Sequence, residues 1–297
     1  MKKYVILLSG LTIFFACGKT PDTQEPTPQP DPDPKPVENP MKVNFDFLIE
    51  HTKASDTSFE TGDVVGLYMV YGEATASSNY VNNLALTYDG SAWNGESIYW
   101  KDSTTPANFY AFSPRAAVND MKAWTFRVHA NQAALSDYKA SDLIWGSRKN
   151  VSPTDERISL TTAHILSNLS ISVVPGDGFT AEELAAANVS VEIMSIKTAA
   201  TVDLATGAVA PTGDTGSVVP YNVGSYWRAV VVPQTVAEGS QLIVVKVNGE
   251  VYTLRQGFTF VAGKKHACIV TVKKSSSGIS IGLGDWETGD GFSGDAQ

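Results

Sequence analysis

From Met41 onward, apolar and polar residues recur with a period of two rather than 3.6, the pattern of half-buried strands. Val43, Phe45 and Phe47 alternate with Asn44, Asp46 and Leu48, and residues 64–70 (VVGLYMV), 109–112 and 124–128 are rich in β-branched and aromatic side chains. Residues 169–174, 229–232, 242–247, 252–254 and 267–272 read the same way. Turn signals separate these runs: Asp89-Gly90, Asn94-Gly95, the run Pro175-Gly176-Asp177-Gly178, Asn248-Gly249 and Ala262-Gly263. Asn248-Gly249 predicts a two-residue hairpin, because both residues tolerate positive φ. One helix is expected after Thr180, whose hydroxyl can cap the helix while Glu183 returns a bond to the Thr180 amide. Residues 131–138 are a second, weaker helical candidate.

Short strands at regular intervals predict an all-β protein of the sandwich type. The folded part is long for one sandwich and comfortable for two. The polar run Ser152-Pro153-Thr154-Asp155-Glu156 suggests a division into sandwiches at 41–157 and 158–297, with the short helix in the second.

The amino terminus follows different rules. Lys2 and Lys3 precede an apolar run at 5–15 that is too short to span a bilayer, and Ala16 then precedes Cys17. Residues 1–17 thus read as a lipoprotein signal peptide. The Cys17 thiol would carry a diacylglyceryl thioether and its amine a further acyl chain, since stable anchoring takes more than one chain. Residues 18–40 are Pro-rich and nearly free of apolar side chains, the composition of an extended tether in polyproline II-like conformations.

Composition narrows the function classes. With 43% hydrophobic and 18% charged residues, the 297-residue chain is neither disordered overall nor built of membrane spans. A formal net charge of -9 works against phosphate backbones, so nucleic acid is not an expected partner. Cys17 and Cys268 are too few for a disulfide framework, and Cys268 lies in an apolar run that predicts a buried, inert thiol. His51, His129, His164 and His266 are scattered without metal-ligand spacing, and there is no phosphate loop, nucleophile elbow or EF-hand loop. Neither cofactor nor metal nor catalytic set is expected, and a hydrolase reading finds no nucleophile–base pair. The acidic, Gly-rich residues 285–295 could bind calcium weakly but lack the twelve-residue ligand order of a calcium loop, and a solvated tail is the commoner meaning of such a stretch. Six tryptophans, at 93, 100, 124, 145, 227 and 286, fit core packing, or an aromatic platform for sugars.

Several phrases, in order along nearly the whole folded chain, resemble the fimbrillin family of Bacteroidetes. They are residues 59–68 (FETGDVVGLY), Tyr99-Trp100, residues 108–114 (NFYAFSP), residues 142–146 (DLIWG), and Ile158-Ser159-Leu160 with residues 164–169 (HILSNL). Val232-Pro233-Gln234-Thr235, Ala262-Gly263-Lys264 and residues 286–289 (WETG) complete the series. Two departures stand out: Thr162-Ala163 where the family has an aromatic residue before the histidine, and Asn168 where it has a basic one.

The resemblance implies two transthyretin-like sandwiches in a fimbrial subunit contributing to adhesion, surface-exposed at the outer membrane. The absence of Asp after Cys17 resembles lipoproteins sorted to that membrane. It further implies that a trypsin-like protease clips the loop after the first strand, and that a strand of another fimbrial subunit replaces the strand removed. Carried onto this chain, the removable strand holds Val43, Phe45, Phe47 and Ile49. The cut would fall between Lys53 and Ala54, where the family more often has an arginine; an exposed loop lysine is the competing interpretation of Lys53. The candidate donor strand holds Ile279, Ile281 and Leu283 with Trp286 at its end, or else it is the last strand of its own sandwich. A surface lipoprotein binding glycans for polysaccharide uptake is the alternative; host or bacterial surface glycans and proteins are the partners to consider.

Overall fold

The computed structural model describes residues 40–49, 58–275, 278–283 and 287–289. Cys17, Lys53, Ala54 and Trp286 lie outside the described residues, as does the tether up to Asn39. Among the described residues the chain forms strands and two short helices. The first half contains β1 (Asn44–Ile49), β2 (Val64–Val70), β3 (Val81–Tyr88), β4 (Trp93–Gly95), β5 (Ala107–Ser113) and β6 (Trp124–Arg127). Then come α1 (Leu135–Ser141), β7 (Ile144–Val151), β8 (Arg157–His164), β9 (Ser167–Pro175) and α2 (Ala181–Ala186). The second half continues with β10 (Val189–Asp203), β11 (Ala208–Val218), β12 (Tyr221–Asn222), β13 (Trp227–Val231), β14 (Gln234–Val236) and β15 (Gln241–Val247). It closes with β16 (Glu250–Arg255), β17 (Phe258–Phe260), β18 (Lys265–Ser275), β19 (Gly278–Leu283) and β20 (Glu287–Gly289).

A seven-stranded sheet runs β1-β8-β7-β5-β2-β3-β4. A five-stranded sheet, β11-β10-β15-β16 with β6 on β10, faces a six-stranded one, β12-β13-β9-β18-β19 with β20 on β18. The protein is all-β, as the alternation predicts. The 157/158 division, however, falls at the start of β8, and β8 pairs with β7 and β1 in the seven-stranded sheet. The polar run 152–156 is the loop between two strands of one sheet, a composition indistinguishable from a linker. The chain leaves this sheet only after His164, while β6, earlier in sequence, already pairs with β10.

Local chemistry explains the short elements. Thr180 accepts the Glu183 amide at 3.1 Å and the Glu183 carboxylate accepts the Thr180 amide at 3.0 Å, so the capping box starts α2 as expected. A second helix, α1, precedes it: it begins at Leu135, four residues later than the candidate span, and Ala134 gives it no side-chain cap. Without a capping signal its start is hard to read from sequence. Asn248 (φ 52°) and Gly249 (φ 90°) form the two-residue turn between β15 and β16, with Val247 opposite Glu250.

Among the described residues, apolar side chains gather in two clusters. One lies on a single face of the seven-stranded sheet and contains Phe45, Phe47, Leu67, Met69, Phe109 and Leu160. The opposite face contributes Tyr68, Val70, Tyr110 and Phe112 to the second cluster, which continues through Trp124 and Phe126 into the space between the other two sheets. At this junction the Trp145 indole donates to the Leu204 carbonyl at 2.8 Å. Gly207, at φ 77°, packs so tightly that a Cβ there would lie 2.5 Å from the Trp145 ring.

His266 is buried on β18 between Phe258 and Phe260, where its Nε2 accepts the Val261 amide at 3.2 Å. Burial lowers its pKa, so the folded state holds the neutral ring. The unfolded chain binds the proton first, near the ordinary pKa of about 6.5. Stability should therefore fall as pH drops from that value toward the depressed folded one. Chemical denaturation at a series of pH values, with His266→Gln losing this slope, checks the expectation; an unchanged slope in the variant contradicts it.

Candidate functional site

The site expected from sequence begins at β1. Strand alternation sends Val43, Phe45 and Phe47 into the core, and leaves Leu48 52% exposed on the other face. Phe45 and Phe47 stack at 5.9 Å, Phe45 meets Phe109 edge-on at 5.4 Å, and Phe47 meets Trp93 edge-on at 4.9 Å. Phe59 closes the other side of Trp93 at 4.8 Å. Ile49 is only half-buried and lines a cavity rather than the core.

The backbone of β1 is held unevenly. Along one edge it runs parallel to β8, from Asn44 opposite Arg157 to Ile49 opposite Thr162. Side chains reinforce that edge: Thr162 donates to the Leu48 carbonyl at 3.0 Å, and Asn44 to the Asp155 carbonyl at 3.2 Å. Along the other edge the pairing is short. The Val43 amide donates to Ile98 at 2.9 Å, the Trp100 amide donates to Met41 at 3.0 Å, and Lys42 bridges Tyr99. Beyond Val43 no ladder joins this edge to another strand among the described residues, and β1 is an end strand of its sheet. A free edge is a template for another strand.

A cavity lies at each end of β1. The first, of about 100 Å³, is bounded by Phe45, Leu86, Trp93, Ile98 and the rim residues Lys42 and Glu96. The second, of about 340 Å³, lies beyond Ile49 and is lined by Phe59, Tyr138, Ile144, Asp142 and His164 among others. Here two of the quoted phrases converge: the Asp142 carboxylate and His164 Nδ1 are 2.8 Å apart and mostly shielded from solvent. Glu60, from the first phrase, binds the Lys139 ammonium at 2.7 Å on the same rim.

The C-terminal candidate occupies a different sheet. β19, which carries Ile279, Ile281 and Leu283, runs antiparallel to β18, with Ile279 opposite Lys274 and Leu283 opposite Val270. It is the end strand there, placed by its backbone on its own chain. The structure therefore does not bring the two candidate strands together.

The remaining sequence candidates fall into structural roles. Trp100 and Trp124 are buried, and Trp93, Trp145 and Trp227 are half-buried. The Cys268 thiol is buried, which pushes its pKa up to about 12 and leaves it without thiolate character at neutral pH. His129 is exposed beside Asp137, 3.5 Å away. Among the described residues no three His, Cys, Asp or Glu side chains group as metal ligands. Sequence marks Trp93 and the Tyr99-Trp100 phrase, but it does not show that residues 98–100 hold the segment before β1 or that Trp93 packs on Phe47, because both partners are distant along the chain.

Residues 52–286 match the model of a family described as fimbrillin-like. A protein of Bacteroides uniformis, named as a candidate fimbrium subunit, Fim1C, is 27% identical over 307 residues, covering 98% of this chain and 97% of its own. The crystal structure of a candidate cell adhesion protein from Bacteroides uniformis matches with a TM-score of 0.65 at 24% identity, over 83% of this chain and 98% of that one. Another, from Bacteroides ovatus, matches with a TM-score of 0.62 at 14% identity, over 84% and 97%. At such identities these two structures speak for the fold.

Proposed function

Since the chain belongs to the fimbrillin-like family, we propose that it is a structural subunit of a surface fimbria that contributes to adhesion. It is exported as a lipoprotein through Cys17 and held at the outer membrane until a trypsin-like protease cuts between Lys53 and Ala54. A C-terminal strand from another fimbrial subunit then takes the place of β1 in the groove along β8. The two-sandwich organisation belongs to the same reading, with the division placed after His164. The observation that carries it is the state of β1: among the described residues it is an end strand with one full ladder, to β8, and its Phe45 and Phe47, with Val43 just before them, are plugged into the core. Taking such a strand away leaves both unpaired backbone groups and apolar sockets, which together favour a replacement strand.

The glycan-binding alternative gains no support from Trp100 and Trp124, which are buried, and so offers no ready platform there.

Limited trypsin digestion of protein beginning at Cys17, read by mass spectrometry and by unboiled gels, tests the reading. The expected result is selective cleavage after Lys53 followed by heat-sensitive multimers. A Lys53 that resists trypsin, or clipped chains that stay monomeric, would count against it.

A further inference from the structure

The outer edge of β1 carries an interrupted ladder. Lys42 is opposite Tyr99 in an antiparallel bridge, and the same register, continued, would set Asp46 opposite Gly95 and Leu48 opposite Trp93. Those pairs are not made: the last backbone bond of the ladder is Val43 to Ile98, and β4 pairs only with β3 among the described residues. The segments flanking the two end strands of the seven-stranded sheet are thus pinned to each other at residues 41–43 and 98–100, while β1 and β4 themselves form no ladder among the described residues. The ring contact of Phe47 with Trp93 spans the gap farther along. The cavity of about 100 Å³ occupies the opening, floored by Leu86, Phe45 and Ile98. It has room for one apolar side chain, next to a strand edge with unpaired backbone groups.

We propose that this seam is the entry slot for the incoming strand, where the C-terminal strand of a second copy docks while β1 is still seated. The inference rests on the strand-exchange reading above and adds the order of events. An apolar side chain of the incoming strand fills the cavity, its backbone pairs with the free edge at residues 93–97, and displacement of β1 then proceeds toward Ile49. Two features select that occupant. Ile279, Ile281 and Leu283 repeat the two-residue spacing of Val43, Phe45 and Phe47. The segment from residue 275 onward carries Asp285, Glu287, Asp290 and Asp295 and no Lys or Arg, whereas Lys42 and Arg157 stand on the cavity rim against the single carboxylate of Glu96. Opposite charges at the rim speed encounter more than they tighten the final complex.

The test adds a synthetic peptide of residues 275–290 to trypsin-clipped protein and follows release of the β1 fragment by native mass spectrometry. Ser97→Phe and Ala92→Leu each fill the cavity, and Lys42→Glu inverts the rim charge without touching the core. Release from the filled variants should slow by roughly tenfold, the scale of losing one apolar docking site. The same amount of complex should form at the end, and thermal unfolding before clipping should match the parent. Lys42→Glu should slow release at low salt and not at high salt. Equal rates in parent and all three variants would overturn the entry slot while leaving strand exchange intact. No release from the parent protein would overturn both.

Discussion

Phe47→Ala should destabilise the uncut protein by about 3–5 kcal/mol, the usual range for deleting a buried aromatic ring. The ring is almost fully buried, stacks on Phe45 and supports Trp93 edge-on, and Trp93 is itself wedged against Phe59. Its loss opens the side of the core where the sheet has no ladder, so little backbone structure holds the gap closed. Phe45→Ala should cost about as much, since it removes the contact with Phe109. The double variant should fall short of the sum, because the two rings share a contact and the first cavity already loosens the second ring. Leu48→Ala, on the exposed face of the same strand, should stay within about 0.5 kcal/mol of the parent. Urea titration followed by tryptophan fluorescence measures all four. The same substitutions should hasten release of β1 after clipping, so stability before the cut and rate after it move in opposite directions. Should Phe47→Ala prove as stable as Leu48→Ala, β1 would not be a plugged strand, and the groove reading would lose its physical basis.

How much of this was legible in sequence depends on the range of the interaction. The alternation at Val43, Phe45 and Phe47 reports burial on one face, and that property needs no knowledge of the partner strand. The Asn248-Gly249 hairpin and the Thr180–Glu183 cap are likewise complete within a few residues, and both stand where expected. Partners distant in sequence are another matter. That β1 pairs with β8, more than a hundred residues away, and in parallel, is set by topology and by no local signal. For the same reason the polar composition of 152–156 suggests a boundary, although the run joins two neighbouring strands. The Asp142–His164 pair shows the intermediate case: each residue stood inside a recognisable phrase, and only the fold reveals that the phrases touch.

Gln132→Leu should be among the most destabilising single changes outside β1, at about 3–5 kcal/mol, although it keeps the volume of the side chain. Gln132 is fully buried in the segment between β6 and α1. Its amide nitrogen donates to the Val230 carbonyl at 2.8 Å and to the His129 carbonyl at 3.1 Å, while its oxygen accepts the Val230 amide at 2.9 Å. The side chain therefore stands in for a neighbouring strand beside β13. Leucine would strand these backbone groups in the interior, at roughly 1–3 kcal/mol for each one left without a partner. Gln132→Glu separates hydrogen bonding from packing. Its carboxylate would face two carbonyl oxygens where an N–H₂ group had stood, so at neutral pH it should cost at least as much as leucine. Burial raises the folded pKa of such a group, so stability should recover as pH falls through that value and the protonated acid donates to one carbonyl. Leucine offers no proton to gain and should show no such recovery beyond the parent's own pH slope. Parallel denaturation curves of the two variants at pH 7 and pH 5 decide the matter. If both shift equally between those pH values, the Gln132 contacts do not carry the junction between the β6–α1 segment and the six-stranded sheet.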